Sequence, residues 1–243
     1  MIWSREVLCE PQTEVTRHLL LPNLCLATSR VVKDDAFRHV TVARGPVEVI
    51  SLSTSTSTNA YMFPLYRYET DQLFGGGRSK ESKSANLSRQ FIAEMVKATG
   101  LKWDESCSGG DRPDFMTPEG IFFFLYSILH SPIYREVFAD ELRRDFPPIP
   151  CPSNGVVFRE LARLGGELVA LHLLESPKLD RPITEHLCGR APEVEKVSWS
   201  KNTVWLDKAQ TAGFKGVRED VWNFHIGGYQ VCGPQRSGER RDL

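Results

Sequence analysis

Acidic and lysine residues of the types used by metal-dependent nucleases occur in the sequence, but not in the order that such an active site requires. Glu81-Ser82-Lys83 resembles the Glu-x-Lys half of a site in which two carboxylates and a lysine surround a metal ion. The Pro113-Asp114 pair that should precede it follows it instead. Gly75–Lys80 likewise lacks the final Gly-Lys-Ser/Thr of a phosphate-binding loop. Neither segment is predicted to be catalytic.

Other catalytic motifs are also missing from the sequence. We find no glycine-rich strand-to-helix turn for a methyl donor and no motif of the Asn-Pro-Pro-Tyr kind that holds a flipped base. The six histidines show no i, i+4 pair with an acid between them, and the six cysteines form no C-x-x-C pair. The sequence therefore predicts no catalytic residue, no metal site and no bound cofactor in this chain.

Basic side chains near predicted strand ends suit contacts with nucleic acid. Arginine can donate two parallel hydrogen bonds to guanine in the major groove, which makes it the most frequent base-reading side chain. The candidates in the N-terminal part are Arg30, Lys33, Arg38, His39 and Arg44. As an alternative, Arg38 and His39 lie between Phe37 and Val40 and could form the solvated face of a half-buried strand.

A second basic group lies between residues 78 and 102. This segment contains six basic and two acidic residues, an excess of four positive charges. The basic residues are Arg78, Lys80, Lys83, Arg89, Lys97 and Lys102, and the acidic ones are Glu81 and Glu94. Arg78, Lys80, Lys83 and Arg89 are predicted to contact DNA phosphates, which gives affinity without sequence information. A solvated linker and helix face would explain the same charges equally well.

The composition of the 243-residue chain is that of an ordinary globular protein. Hydrophobic residues make up 41% and charged residues 25%, which disfavours disorder and coiled-coil architectures. The formal net charge of −1 means that a nucleic acid would have to be held by a local basic patch. Since no run of about 18 apolar residues and no signal peptide occur, we expect a cytoplasmic protein without a membrane partner.

Strands are predicted in the N-terminal part of the chain. The segments Asn23–Arg30, Phe37–Val42, Val47–Leu52 and Tyr61–Tyr66 are rich in β-branched and aromatic residues and alternate in part with a period of two. A glycine-rich stretch follows them. We therefore divide the chain into a β-rich DNA-recognition lobe (1–74), a basic flexible linker (75–86), a helical and hairpin lobe (87–232) and a disordered tail (233–243).

Helices are predicted in the middle of the chain. One is capped by Ser88 and ends at Gly100, and another begins at Thr117-Pro118-Glu119 and continues to about His130. Pro132 is expected to end that helix, and a second amphipathic helix follows with Tyr134, Val137, Phe138 and Leu142 on one face.

The C-terminal half is predicted to contribute a core helix and a hairpin. Val156–Glu175 carries leucines at steps of three and four, and Val194–Asp207 alternates around Lys201-Asn202. Together the elements predict an α+β fold, with a β-rich N-terminal lobe, a helical middle and a C-terminal hairpin packed against it.

Three stretches of the sequence resemble the C-terminal specificity region of type ISP restriction-modification enzymes. They occur in that family's order and span most of the chain from about residue 10 to residue 232. The first comprises Glu14–Leu20, Asn23–Arg30, Phe37–Val40 and Tyr61–Tyr68, the second comprises Thr117–Arg135 and Asp145–Pro150, and the third is Glu219–Val231.

The resemblance implies a target-recognition module that binds double-stranded DNA sequence-specifically and so directs adenine methylation and cleavage by other domains. Its partners would be methyltransferase and helicase domains, in cis or in trans. S-adenosylmethionine is expected only for the methyltransferase domain, and the resemblance supplies no catalytic residue in this region.

Two departures from the family pattern lead us to expect a truncated chain. The family continues after the Gly-Gly-Tyr-Gln-Val string with a lysine- and tryptophan-bearing segment, whereas here Cys232 is followed by a basic tail, and the upstream domains are missing. The alternatives are a fragment of an adenine-specific DNA methyltransferase with residual activity and an inactive structural remnant.

Overall fold

The N-terminal part folds into a three-stranded antiparallel sheet. The computed structural model describes residues 13–33, 36–52, 58–68, 83–106, 113–187, 193–227 and 229–233. A short helix α1 (Thr13–Thr16) and a 3₁₀ turn (Arg17–Leu19) precede the strands β1 (Cys25–Ser29), β2 (Val40–Ala43) and β3 (Ala60–Pro64). The strand order β2-β1-β3 places β1 in the centre.

Both faces of β1 are covered, which explains why all five of its residues are buried. On one face Leu26, Val40 and Val42 join the main hydrophobic core. On the other face Cys25 and Met62 pack against apolar side chains from α1 and the 3₁₀ turn. A strand with two covered faces reads as a continuous apolar run, and this matches the sequence pattern.

The predicted strand Val47–Leu52 is wrong. Its backbone forms turns, with the Ser51 amide donating to the Glu48 carbonyl at 3.1 Å. Val49 and Ile50 are exposed, so the alternating pattern here does not mark a buried face. The preceding Pro46 has no amide hydrogen to donate to a sheet ladder.

The end of the predicted flexible linker is regular structure. Strand β4 (Tyr66–Tyr68) pairs with β5 (Lys83–Ala85), and the Asn86 amide donates to the Leu65 carbonyl at 2.8 Å. The linker prediction for residues 83–86 is therefore wrong, because long-range pairing with β4 orders them. Residues 75–82 lie outside the described residues.

The helix-start and helix-stop signals of the middle region are confirmed. Helix α2 (Arg89–Thr99) is capped by the Ser88 hydroxyl and ends at Gly100, which has the left-handed backbone that favours glycine. After the short parallel pair β6 (Lys102–Trp103) and β7 (Phe115–Met116), helix α3 spans Pro118–His130 and is capped by Thr117.

Pro132 begins a helix instead of only ending one. It occupies the first turn of α4 (Pro132–Val137), where its missing amide hydrogen has no cost, and the Ser131 hydroxyl caps the helix. The chain then bends at Phe138 before α5 (Ala139–Arg144). The single amphipathic helix predicted here is therefore two short ones.

The long helix α6 (Gly155–His172) packs against α3 at close range. Its backbone at Gly165 lies so near to α3 that an added Cβ would be 1.9 Å from the Phe123 carbonyl oxygen. The leucine stripe predicted for this helix is only partly buried, since Leu164 is 49% exposed. Helix α3, whose side chains are buried on several sides, is the central core element.

The predicted C-terminal hairpin is confirmed and is part of a larger sheet. Lys201 and Asn202 both have positive φ angles, 50° and 58°, as a two-residue hairpin turn requires. The strands β8 (Glu185–His186), β9 (Ser198–Ser200), β10 (Thr203–Trp205) and β11 (Gly213–Lys215) form an antiparallel sheet in the order β8-β11-β10-β9.

The last elements of the chain contact the N-terminal part next to strand β2. They are α7 (Glu219–Trp222) and the strand pair β12 (His225–Ile226) and β13 (Tyr229–Gln230). The Gly227 amide donates to the Arg38 carbonyl at 2.8 Å. A Cβ at Gly227 would lie 1.6 Å from the Leu52 carbonyl oxygen, so this contact admits only glycine.

The α+β fold is confirmed, and one helix supplies both of its larger hydrophobic cores. Phe122, Tyr126 and Leu129 of α3 belong to the core with the N-terminal sheet. Three neighbouring side chains, Ile121, Phe124 and Leu125, belong to the core with α2 and α6. Burying a large apolar side chain contributes about 1.5–3 kcal/mol, so both cores depend strongly on α3. Among the described helices, none is long and apolar enough to cross a bilayer.

The close approach of α3 and α6 can be tested with Gly165→Ala. We expect this change to lower the free energy of unfolding by about 2 kcal/mol, because the methyl group must push two helix backbones apart. This loss exceeds the gain of about 1 kcal/mol that alanine brings to a helix interior. Urea denaturation followed by circular dichroism measures the difference.

Gly166→Ala is the matched control, because the atoms nearest to its added Cβ belong to the Phe123 ring, at 3.3 Å or more. That ring can move by a few tenths of an ångström, so a change within about 1 kcal/mol is expected. Wild-type stability of Gly165→Ala would contradict the described helix packing.

Candidate nucleic-acid interface

The predicted basic residues lie at two different ends of the N-terminal sheet. Arg30 follows the Ser29 end of β1, which pairs with Ala60, while Arg44 follows Ala43, which pairs with Cys25 at the other end. A five-residue strand is about 15 Å long. The residues proposed as one set therefore occupy two separate places, called here the Ser29 end and the Cys25 end.

At the Cys25 end, Arg44 is held by an acid. Its Nε and Nη2 atoms donate to the two carboxylate oxygens of Glu175 at 2.5 and 2.7 Å. The pair lowers the pKa of Glu175 and raises that of Arg44. Both side chains are exposed, so the pair adds little stability, but it does occupy the guanidinium fork.

Lys83 also lies beyond the Cys25 end. Its Nζ is 3.8 Å from the centre of the Tyr66 ring, a cation–π contact. The Tyr66 hydroxyl in turn donates to Glu119 at 2.5 Å, which ties this strand to α3. Arg89 is exposed at the first position of α2, and Arg78 and Lys80 lie outside the described residues.

His39 is not available to a nucleic acid, and its selection is a correction to the sequence analysis. The side chain is 0% exposed. Its backbone carbonyl accepts from the Thr28 hydroxyl at 2.9 Å and from the Ser29 amide at 3.2 Å. Because β2 begins only at Val40, the period-two alternation expected around Arg38 does not apply, and consecutive residues 39 and 40 are both buried.

At the Ser29 end, the connection between β1 and β2 meets α5. The Arg30 Nε donates to Asp145 at 2.9 Å, and the Val32 amide donates to the Arg143 carbonyl at 3.2 Å. The exposed residues Lys33 and Arg38 lie on the same connection. The fold thus brings the segment that carries three of the predicted residues into contact with a helix end more than one hundred positions later in the chain.

Arginines that sequence analysis did not select lie at this end as well. Arg143 and Arg144 are exposed in the last turn of α5, and Arg135 is half-buried in α4. We call Arg38, Arg135, Arg143 and Arg144 the arginine group. The Arg143-Arg144 doublet was a usable signal, but the favourable interaction of cations with a helix C-terminus explains it equally well.

The arginine group has no acidic partners among the residues that the structure describes. The ion pairs there include Arg30 with Asp145 and Arg44 with Glu175, but none contains a member of the group. The acids of α4 and α5, namely Glu136, Asp140 and Glu141, form no ion pair with it either. The chain is nearly neutral, and no ion pair among the described residues neutralises these four guanidinium groups.

The charges of this end are suited to binding an anion. Guanidinium groups keep their charge and offer fixed donors that match the geometry of phosphate or of guanine. Within the described ranges, no group of three or more His, Cys, Asp or Glu side chains is arranged to hold a metal ion.

Comparison with known proteins places the chain beside one family. A family model described as the Type ISP C-terminal specificity domain matches residues 1–233. Among curated proteins, none matches the chain.

The solved structures that share the fold include three in complex with DNA or a DNA substrate mimic. They are the ATP-dependent Type ISP restriction-modification enzyme LlaBIII bound to DNA (TM-score 0.61, 17% identity), a nuclease-deletion mutant of the Type ISP enzyme LlaGI in complex with a DNA substrate mimic (0.56, 19%), and a DrdV–DNA complex (0.56, 22%). Each match covers 86% of this chain but only 12%, 16% and 19% of the respective larger chains. At these identities, the likeness concerns the fold.

The burial of His39 predicts that substitutions at two neighbouring residues affect stability to different extents. His39→Ala should lower the free energy of unfolding by about 2 kcal/mol, because it empties a fully enclosed position. Arg38→Ala, its exposed neighbour, should change stability by no more than about 0.5 kcal/mol. Thermal and urea denaturation of both variants provide the measurement, and equal stabilities would contradict the burial of His39.

Proposed function

The chain belongs to the Type ISP C-terminal specificity domain family, and on this basis we propose that it recognises a specific sequence in double-stranded DNA. Its role is to position a duplex so that other domains methylate an adenine and cleave. The structures that share its fold are enzymes in complex with DNA or a DNA substrate mimic, which supports the proposal.

The single observation that carries the proposed interface is the unpaired arginine group at the Ser29 end. A chain with a net charge of −1 has no overall field that attracts a polyanion, so individual guanidinium groups that no ion pair occupies must make the contact. Phosphate contacts account for much of the affinity of DNA-binding proteins. The Cys25 end is a weaker candidate because Arg44 donates to Glu175 through both Nε and Nη2, whereas Arg30 donates to Asp145 through Nε.

Base reading is assigned to the β1–β2 connection. Arg30 and Lys33 lie in the first part of this segment, and the contact of Arg30 with Asp145 fixes the direction of its guanidinium group. A loop held by a rigid sheet and a helix can place such side chains in a groove. Arg143 and Arg144, at the helix end beside it, are assigned to phosphates, which orient the duplex without reading it.

The covalent chemistry is assigned to partner domains. The larger enzymes that share the fold are several times longer than this chain, so methyltransferase and helicase domains are proposed as its partners, in cis or in trans. S-adenosylmethionine would be bound by the methyltransferase domain. Recognition of genomic DNA would take place in the cytoplasm.

The salt dependence of duplex binding tests the function and the interface together. A preferred duplex is first selected from a randomised pool, and its affinity is then measured by fluorescence anisotropy at several salt concentrations. Replacing Arg143 and Arg144 by glutamine should weaken binding at every sequence alike. The slope of log K against log salt should fall by about 2, because up to two phosphate contacts are lost.

The control is the double variant R159Q/R163Q on α6, which changes the net charge by the same amount. Arg163 pairs with Glu160 and Glu167, and Arg159 donates to the Pro113 carbonyl, so neither belongs to the arginine group. Its slope should match the wild type. If the wild type selects no sequence and binds duplex no better than a neutral protein does, the proposed function is wrong; equal slopes for both double variants would reject only the interface.

A further inference from the structure

Arg135 is an unusual member of the arginine group because it is half-buried and still lacks an acid. Its Nε donates to the Leu129 carbonyl at 2.7 Å, in the last turn of α3. Its Nη2 lies 3.3 Å from His130 Nδ1. The Phe37 ring centre is 5.9 Å from the guanidinium carbon. These contacts hold the guanidinium in one orientation without neutralising its charge.

The neighbouring histidines do not supply a negative or a second positive charge. A guanidinium can only donate, so His130 Nδ1 must accept, and the ring is neutral. Burial, then the charge of Arg135, lowers the pKa of His130 to about 3. His172, whose Nδ1 is 2.6 Å from the Tyr126 hydroxyl, also has a lowered pKa, with burial as the main cause.

Arg38 is a charged neighbour of Arg135, since it follows Phe37, whose ring contacts the Arg135 guanidinium. Burial lowers the pKa of Arg135 to about 10, and repulsion by Arg38 is the second cause. Arg38 itself is exposed, and its backbone carbonyl is held by the Gly227 amide. A half-buried guanidinium without an acidic partner is stabilised when an anion from outside the chain binds to it.

The donors that remain define the ligand. Of the five N–H groups of Arg135, two are used by Leu129 and His130, and the other three have no partner among the described residues. Two parallel N–H groups match two oxygens of a phosphate, and the exposed Arg38 can contact the same group from the solvent side.

We propose that Arg135 and Arg38 form a clamp for one phosphate group, which in the bound state is a single backbone phosphate of the duplex. This inference rests on the proposed function, because the DNA backbone is the assumed source of the phosphate. The contact fixes the register of the β1–β2 connection on the duplex, since Phe37 and Arg38 lie at the end of that connection. Unlike Arg143 and Arg144, Arg135 is set in place before DNA arrives.

A scan with neutral linkages tests the clamp. Single methylphosphonates are placed at successive positions of the selected duplex, and affinity is measured for the wild type, R135Q, R135K, R38Q and the control R163Q. The wild type and R163Q should lose about tenfold in affinity at one linkage, the effect of one lost charge-assisted contact. R135Q and R38Q should bind the unmodified duplex about tenfold more weakly and no longer respond to that linkage.

The R135K variant distinguishes the contribution of the paired guanidinium donors from that of the positive charge. A lysine keeps the positive charge but not the paired donors, so its salt slope should stay near that of the wild type while its affinity falls. If R135Q does not fold, R135K and the exposed R38Q still give the answer. Retention of the wild-type linkage response in R38Q and in a folded Arg135 variant would overturn the clamp, while the proposed function would stand.

A titration with inorganic phosphate distinguishes the two sources of the ligand. Phosphate should shift the ring nitrogen signals of His130 in the wild type and leave them unchanged in R135Q, because His130 contacts the guanidinium. If the wild type binds no duplex but shows this shift, the clamp stands and the proposed function fails. Absence of both the linkage response and the shift would overturn the clamp.

Discussion

Burial of helix α3 on several sides is the constraint on which the rest of the structure depends. Its side chains alternate between the core with the N-terminal sheet and the core with α2 and α6. The helix can be enclosed in this way because α6 approaches at Gly165, where no side chain separates the two backbones. The N-terminal sheet and the helices α2 and α6 are thus joined through α3, which contributes side chains to both cores.

This arrangement also determines where the arginine group lies. Helices α4 and α5 follow α3 directly, so packing of α3 against the sheet brings the end of α5 to the connection between β1 and β2. The hydrogen bond from Val32 to Arg143 and the ion pair of Arg30 with Asp145 fix that contact. The C-terminal end of α3 carries His130 and the Leu129 carbonyl, which orient Arg135. Core packing and the proposed DNA contacts are therefore consequences of one element.

Sequence signals predicted the elements whose formation depends on near neighbours. The caps at Ser88 and Thr117, the stop at Gly100 and the turn at Lys201-Asn202 are local, and each is confirmed. The secondary-structure predictions failed where the conformation depends on pairing with a distant segment. Residues 83–85 form a strand only because β4 lies beside them, and Val47–Leu52 lacks a partner strand despite a strand-like pattern.

The candidate site could be predicted only in part, for the same reason. Arg30, Lys33 and Arg38 are close in sequence, so the sequence alone predicts that they lie on one segment of the fold. Their separation from Arg44 depends on strand register. The contact of their segment with Arg143 depends on how α3 packs against the N-terminal sheet. The interior position of His39 required knowledge of where β2 begins, which the composition of the segment does not reveal.

Hydrogen–deuterium exchange with and without the selected duplex tests the central claim most directly, namely that DNA binds at the Ser29 end of the N-terminal sheet. Peptides that cover residues 30–39 and 135–146 should exchange more slowly in the complex, while those that cover β5 and the start of α2 should be unchanged. Slowed exchange confined to residues 83–89, with none at 30–39, would contradict this placement of the duplex.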